Sequence, residues 1–236
     1  MSAPALTETP TREARGGSGA MFDAIAGRYD LLNRILSLGL DQSWRRQLVE
    51  ALGPAPLRVL DVATGTGDVA RAIAARYPGA TVIGLDPSGG MLRAGADKFT
   101  GKVSAVQGDG QSLPFADDTF SSASIAFGIR NVPDRSLGLR EMKRVVQPGG
   151  PVAILELGEP RGGLLAPFAR FHVRHVVPTI GALLSGKREY RYLQSSVAAF
   201  PPPDEFLAQM EAAGLTQATA TRLGFGAAHL YVGTSA

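Results

Sequence analysis

The chain has 236 residues and a mass of 24.7 kDa, a length that suits one large domain. Hydrophobic residues make up 44% of it and charged residues 19%, and no stretch reaches the roughly 18 uninterrupted apolar residues that a membrane span needs. The net charge of +3 is spread over 24 basic and 21 acidic side chains without a basic run, which argues against a nucleic-acid partner.

The first 20 residues, MSAPALTETPTREARGGSGA, are predicted to be a disordered tail. They carry acidic residues where a signal peptide needs a positive start and an apolar centre, so export is not expected. Cysteine is absent, which excludes disulfides and thiolate metal sites. We therefore expect a cytoplasmic protein, and we expect no metal site.

Residues 21–236 are predicted to form a single α/β domain, because strand-like and helix-like stretches alternate along them. The predicted strands are LRVLDVA (57–63), ATVIGLD (80–86), KVSAVQGD (102–109), FSSASIAFGI (120–129) and PVAILEL (151–157), with helices at 67–77, 91–99 and 136–146. Residues 161–200 are predicted to be a mostly helical insertion. A helix ending at Gly214 and two strands near 216–222 and 227–233 complete the chain.

A glycine-rich turn, LDVATGTGDVA, follows the first predicted strand. Gly65, Gly67 and Ala70 satisfy the dinucleotide fingerprint G-x-G-x-x-G/A, and Asp86 lies about 20 residues downstream, where it would bind a ribose hydroxyl. Such a turn lets a ligand approach the backbone and the free N–H groups at the start of a helix. By itself the pattern fits either a nicotinamide dinucleotide or S-adenosylmethionine.

Acidic residues end three successive predicted strands. Asp61 lies where a pyrophosphate would rest, and its charge repels phosphate but attracts the ammonium and sulfonium of S-adenosylmethionine. Asp86 is then expected to bind the ribose diol, and Asp109 the adenine amino group. Because the carboxyl ends of parallel strands meet at one edge of a sheet, we expect the three to share a ligand crevice. The alternative is that each aspartate caps a helix or a turn.

The fourth predicted strand ends in the same crevice with FGIRNVPD (127–134). Arg130 is always protonated, so it suits a developing oxyanion and is a poor general base. Asn131 would orient the same group or a water molecule. The alternative is that Arg130 forms a structural ion pair with Asp134 or Glu156.

From about residue 21 onward the chain resembles the UbiE/MenG family of quinone-biosynthesis C-methyltransferases. The stretches that carry the resemblance are YDLLNRILSLGLDQSW (29–44), VLDVATGTGD (59–68), FGIRNVPD (127–134), RVVQPGGPVAILELGEP (144–160) and YRYLQSSVAAFP (190–201). The resemblance implies a class I methyltransferase, with a Rossmann-like fold. That fold has a mostly parallel seven-stranded sheet, helices on both faces and an antiparallel last strand.

The resemblance also implies S-adenosylmethionine as the cofactor, bound by Thr66, Asp86, Asp109 and Gly110. This set overlaps the one reached from charge placement, and a cofactor-contacting serine of the family falls on Ala126 here. Other positions depart from the family signatures, a difference that bears on substrate choice and turnover: Leu32, Asp41, Gln147 and Gly158.

The implied reaction is methyl transfer to a ring carbon of demethylmenaquinol, and the nearest alternative substrate is a polyprenyl benzoquinol of the ubiquinone pathway. Such a reaction needs in-line positioning, removal of the quinol proton and a stabilised phenolate, a role that Arg130 fits. The candidates for the proton acceptor are a water held by Asn131 or Arg130, Tyr190 or Tyr192, or a histidine. From other classes, an NAD-dependent oxidoreductase is disfavoured by Asp61, and a scaffold without turnover is suggested by the departures.

Residues 163–193 alternate apolar residues with basic ones, namely Arg170, Arg174, Lys187, Arg188 and Arg191. For a lipid-tailed quinol, this segment is predicted to cover the quinol head, hold the first isoprene units and make peripheral contact with an anionic membrane surface. The alternative is an ordinary amphipathic cap over the sheet.

Overall fold

The computed structural model describes residues 39–158 and 187–236, together with residues 34 and 37, and for residues 187–191 and 193 it describes the backbone alone. The predicted tail (1–20) and most of the predicted insertion (161–200) lie outside the described residues. Within the described ranges, no helix is long and apolar enough to cross a membrane.

Strands and helices alternate as the sequence predicts. The strands are β1 (Arg58–Val62), β2 (Thr81–Asp86), β3 (Val103–Gln107), β4 (Ser122–Ala126), β5 (Pro151–Leu157), β6 (Leu215–Leu223) and β7 (Ala228–Ser235). The α-helices are α1 (Leu40–Glu50), α2 (Asp68–Arg76), α3 (Gly89–Ala94), α4 (Arg135–Val145), α5 (Lys187–Ala198) and α6 (Pro203–Ala212). Short 3₁₀ turns lie at Ala96–Lys98, Ile129–Asn131 and Gly224–Gly226.

The strands form one seven-stranded sheet in the order β3-β2-β1-β4-β5-β7-β6. The pairs among β1 to β5 are parallel, whereas β7 is antiparallel to both β5 and β6. This topology confirms the predicted mostly parallel sheet with an antiparallel last strand. The strand order reverses between β1 and β4, and in open α/β sheets such a switch point opens a ligand crevice at the carboxyl ends of the strands.

Apolar layers cover both faces of the sheet. On one face, Phe120 and Ile125 pack with Leu139 of α4 and Phe206 of α6. On the other face, the helices α1 and α2 pack their apolar sides against the strands. Strands that are buried on both faces need nearly continuous apolar sequence, which explains why PVAILEL was predicted as a strand with the bounds that the structure shows.

The helix predicted at 91–99 is shorter than expected. It begins after Ser88, whose hydroxyl oxygen accepts the Met91 N–H at 3.0 Å, and α3 ends at Ala94. At Gly95 the chain touches the glycine loop so closely that an added Cβ would lie 2.0 Å from the carbonyl oxygen of Thr66. The end of α3 is therefore packed directly against the loop that the sequence assigned to cofactor binding.

This contact predicts that Gly95→Ala destabilises the protein by ~1–3 kcal/mol or more, because backbone atoms of the loop must move to admit the methyl group. The matched control is Gly79→Ala, where an added Cβ meets nothing within 4 Å, and its effect should stay within about 0.5 kcal/mol. Urea unfolding of the two variants checks this. Equal stabilities of the two variants would contradict the close contact.

Candidate active site

The glycine loop between β1 and α2 adopts the left-handed backbone that its glycines permit, with φ of +59° at Gly65 and +85° at Gly67. The carboxylate of Asp86 fixes this loop, because Oδ2 accepts the Gly65 N–H and Oδ1 accepts the Ser88 N–H, both at 2.8 Å. The ribose hydroxyl that the sequence predicts for Asp86 would be a further donor to this carboxylate.

Thr66, between the two glycines, is buried, and its hydroxyl oxygen accepts a hydrogen bond from Lys98 Nζ at 3.2 Å. Lys98 Nζ also forms an ion pair with Asp68 at 2.7 Å. Lys98, in the 3₁₀ turn that follows α3, therefore stabilises the glycine loop in addition to Asp86.

Asp61 lies in β1 directly before the loop and is almost completely buried. Its Oδ2 accepts the Thr64 hydroxyl at 2.6 Å and its Oδ1 accepts the Ser124 hydroxyl at 2.7 Å. Burial raises the pKa of Asp61 from 3.8 to about 6, although the two hydroxyl donors oppose the rise. A buried carboxylate held by neutral hydroxyls is a favourable partner for a cationic ligand, which fits the ammonium of S-adenosylmethionine.

Asp109 and Gly110 follow β3 at the same edge of the sheet. Oδ1 of Asp109 accepts the Gln111 N–H at 2.9 Å, which is the turn role that the sequence left open as an alternative. An added Cβ at Gly110 would lie 3.1 Å from Val62 Cγ1, so this turn packs on the end of β1. The ends of β1, β2 and β3 therefore lie at the same edge of the sheet, where the sequence predicts the ligand crevice. Ala126, the last residue of β4, is partly buried at the neighbouring strand end.

Arg130 lies in the 3₁₀ turn that follows β4, and it is paired with Glu156 of β5. Its Nη1 lies 2.5 Å from Glu156 Oε1, and the exposed fractions of the two side chains are 6% and 0%. The backbone N–H of Arg130 donates to Glu156 Oε2 at 3.2 Å. The ion pair that the sequence left open is therefore present, with Glu156 as the partner and not Asp134.

The pairing does not use every donor of Arg130. Nη1 also donates to the Phe127 carbonyl oxygen at 2.7 Å, but the buried Nε has no hydrogen-bond partner among the described residues. A buried donor without an acceptor costs about 1–3 kcal/mol, and such groups in native structures are often explained by a ligand or a water molecule. Arg130 thus retains a donor for a further oxygen atom.

Asn131 connects the same turn to helix α5. Its Nδ2 donates to the Phe127 carbonyl oxygen at 3.3 Å, and its Oδ1 accepts the Tyr192 hydroxyl at 3.2 Å. Tyr190 also lies in α5, but its side chain is outside the described residues. The structure therefore brings Arg130 and Asn131 together with Tyr192, while the position of the Tyr190 hydroxyl stays a prediction.

Phe127 holds an uncommon backbone conformation at this strand end, with φ of +57°. Its carbonyl oxygen accepts hydrogen bonds from the side chains of both Arg130 and Asn131. Its buried ring packs edge-on against Trp44, with ring centroids 6.5 Å apart. Such strained positions persist where surrounding contacts fix them, and they cluster at functional sites.

Sequence reasoning missed several residues that position the site. Glu156 was considered only as a partner of Arg130, although a glutamate inside the apolar run PVAILEL is itself a signal of a buried pair. Thr64, Ser124 and Gln111, which hold the aspartates, carried no such signal because hydroxyl and amide residues are common in turns and strands. Among the described residues, no three His, Asp or Glu side chains cluster as metal ligands do.

The sheet order, the antiparallel last strand and the acidic crevice around the glycine loop define a class I methyltransferase. The model of the ubiE/COQ5 methyltransferase family matches residues 9–235. The chain therefore belongs to this family, and the predictions of a methyltransferase and of S-adenosylmethionine as its cofactor are confirmed.

Relatives agree with this assignment. The chain is 48% identical over 217 residues to a ubiquinone/menaquinone biosynthesis C-methyltransferase of Syntrophotalea carbinolica, covering 90% of this chain and 92% of the relative. It is 44% identical to a demethylmenaquinone methyltransferase of Deinococcus radiodurans, with 90% of each chain covered. Among solved structures, a SAM-dependent methyltransferase of Thermotoga maritima superposes with a TM-score of 0.67 at 19% identity, covering 92% of this chain and 99% of that one, which shows the shared fold.

The raised pKa of Asp61 predicts that Asp61→Asn is more stable than the unchanged protein at pH 8. The raised pKa means that the folded state favours the protonated carboxyl. The destabilisation caused by the charged carboxylate is therefore absent below pH 3.8 and fully present above about pH 6. The difference between the two values corresponds to roughly 3 kcal/mol, and we expect a gain of ~1–3 kcal/mol at pH 8 that shrinks toward pH 4.

Urea unfolding at both pH values measures this gain, and calorimetry should show weakened binding of S-adenosylmethionine by the same variant. A variant that loses stability at pH 8 while binding the cofactor normally would contradict the interpretation of Asp61.

The buried pair predicts strong coupling between Arg130 and Glu156. Glu156→Gln leaves an uncompensated buried guanidinium and should cost ~3–5 kcal/mol, as should Arg130→Gln for the opposite reason. In the double variant no charge remains unpaired, so its loss should be smaller than the sum of the single losses by about 1–3 kcal/mol. Urea unfolding of the three variants measures this, and additive losses would show that the pair is not coupled.

Proposed function

We propose that this protein transfers the methyl group of S-adenosylmethionine to a ring carbon of demethylmenaquinol, giving menaquinol. The observation that carries the proposal is the buried guanidinium of Arg130 at the end of β4, which has an Nε donor without a described partner and lies one strand from Asp61. The name of the Deinococcus radiodurans relative, a demethylmenaquinone methyltransferase, supports this substrate.

The proposed roles of the acidic side chains follow from charge and reach. S-adenosylmethionine supplies an electrophilic methyl group on a positively charged sulfur. Asp61 attracts the ammonium end of the cofactor, and Asp86 accepts hydrogen bonds from ribose hydroxyls while it fixes the glycine loop. Asp109 accepts from the adenine amino group beside Gly110. Three fixed carboxylates at one sheet edge orient the cofactor before the acceptor binds.

On the acceptor side, Arg130 donates to the quinol oxygen that becomes negatively charged when its proton is removed, which stabilises the phenolate whose ring carbon then attacks the methyl group. Glu156 holds the guanidinium in place and balances its charge, so the donor is positioned without leaving an isolated cation in the interior. We assign proton removal to a water molecule oriented by Asn131 and the tyrosines of α5, with Tyr190 as the residue that holds this water beside the quinol hydroxyl.

The second candidate substrate is a polyprenyl benzoquinol of the ubiquinone pathway. The Syntrophotalea carbinolica relative supports it, since the name of that protein joins ubiquinone and menaquinone biosynthesis. Both acceptors are hydroquinones that carry a hydrocarbon tail, and the proposed roles of Arg130 and Asp61 apply to either.

We also propose that the enzyme meets its lipid substrate at the membrane surface, through the basic and apolar residues of 163–193. Most of this segment lies outside the described residues, so the support is its sequence pattern alone. Liposome flotation with acidic lipids tests it. Charge reversal at Arg170 and Arg174 should abolish flotation, and absence of flotation by the unchanged protein would exclude the surface contact.

The experiment that tests the function uses methyl-labelled S-adenosylmethionine and two reduced acceptors in detergent, a demethylmenaquinol and a demethylated benzoquinol. We expect label in the naphthoquinol, and a fall in kcat of ~100-fold or more in Arg130→Lys, because a lysine cannot reproduce the fork of donors. Label in both acceptors would establish a dual-pathway enzyme. No label in either, with the cofactor bound, would contradict the proposal and favour the scaffold alternative.

A further inference from the structure

A cavity of about 180 Å³ lies beside the candidate active site, between the end of β5, the start of β7 and the last turn of α5. Its apolar walls are built by Leu157, Val197, Ala198, Phe200, Pro201 and Tyr231. Its volume is below the roughly 300–1,000 Å³ of pockets for drug-sized ligands, so it suits a short stretch of a larger molecule.

Two elements lead from the reacting centre into this cavity. Along β5, Glu156 holds Arg130, and the next two residues, Leu157 and Gly158, are already cavity lining. Along α5, Tyr192 donates to Asn131, and Val197 lies five residues later, about 7.5 Å further along the helix axis. A molecule whose ring lies at Arg130 therefore has this cavity within reach of a substituent on the ring.

The chemistry of the walls selects an uncharged hydrocarbon. No carboxylate lies among the described lining residues, and their polar groups are those of Arg222 and His229 and the hydroxyl of Tyr231. Arg222 is exposed, and its Nη2 donates to the Phe225 carbonyl oxygen at 3.3 Å. His229 is half-buried, and burial together with the nearby Arg222 lowers its pKa, which favours the neutral imidazole at pH 7.

Gly158 contributes to the shape of the cavity. An added Cβ at this position would lie 2.7 Å from His229 Nδ1, so a side chain here would collide with the imidazole ring. The absence of a side chain at Gly158 therefore leaves room for the imidazole of His229 at the end of β5.

We propose that this cavity binds the first isoprenoid units of the tail of the quinol, directly beyond the ring. This inference rests on the proposed function, because it assumes an acceptor whose ring lies at Arg130. It assigns the tail to described residues of β5, β7 and α5, in addition to the segment 163–193 that the sequence pattern suggested. A substrate with a tail should then lose affinity when this cavity is filled, whereas a substrate without a tail should not.

The chain offers a matched pair of variants. Ala198 and Ala199 are neighbouring exposed alanines at the end of α5, and only Ala198 lines the cavity. Ala198→Trp should fill the cavity mouth and raise KM for a prenylated demethylnaphthoquinol by ~10-fold or more, the cost of leaving a few buried CH₂ groups in water. It should leave kcat/KM for the same diol without a tail unchanged, and Ala199→Trp should change neither value.

A second measurement needs no methyl transfer. Farnesol, a prenyl alcohol without a reacting ring, should raise the melting temperature of the unchanged protein and of Ala199→Trp, but not that of Ala198→Trp. Melting curves without ligand show whether each variant is folded. Equal effects of the two tryptophans on farnesol binding or on the tailed quinol would overturn the inference. Failure of the unchanged protein to methylate any quinol would instead contradict the proposed function, while the farnesol result would still decide on the cavity.

Discussion

The crevice depends on a buried carboxylate that accepts hydrogen bonds from two neutral hydroxyl groups. Asp61 lies at the end of a central strand, held by the hydroxyls of Thr64 and Ser124, and its burial costs stability at neutral pH. Such a cost persists in a fold when the charge serves a ligand, since an asparagine could accept and donate similar hydrogen bonds without the desolvation penalty. A cationic cofactor would relieve the penalty on binding, which couples occupancy of the site to stability.

The acceptor side of the crevice follows the opposite arrangement. There the buried cation Arg130, in the turn after β4, is neutralised by Glu156 of the neighbouring strand β5. The carbonyl oxygen of Phe127, a residue with positive φ, accepts a further hydrogen bond from Arg130. A charge fixed in this way is available to a developing oxyanion without rearrangement at the moment of reaction. In the proposed function, the carboxylate of Asp61 therefore meets the cofactor and the guanidinium of Arg130 meets the acceptor, one strand apart.

The sequence predicted the features that depend on local pattern. The bounds of β5 were correct, because a strand buried on both faces must be apolar throughout, and the glycine loop was recognised from its spacing. Contacts between residues that are far apart in the sequence could not be predicted in this way. The partner of Arg130 follows from the adjacency of β4 and β5, and the early end of α3 follows from the contact of Gly95 with Thr66. The hydrophobic periodicity of the sequence carries no information about either contact.

The most direct test of this account is the titration of Asp61 itself, followed by the carboxyl ¹³C signal in labelled protein and assigned through its loss in Asp61→Asn. Without the cofactor, the account predicts a midpoint near the pKa of about 6. With S-adenosylmethionine bound, it predicts a clearly lower midpoint, because the ammonium stabilises the charged form. A midpoint that is the same with and without the cofactor would show that Asp61 does not meet the cation, and would contradict the arrangement proposed for the site.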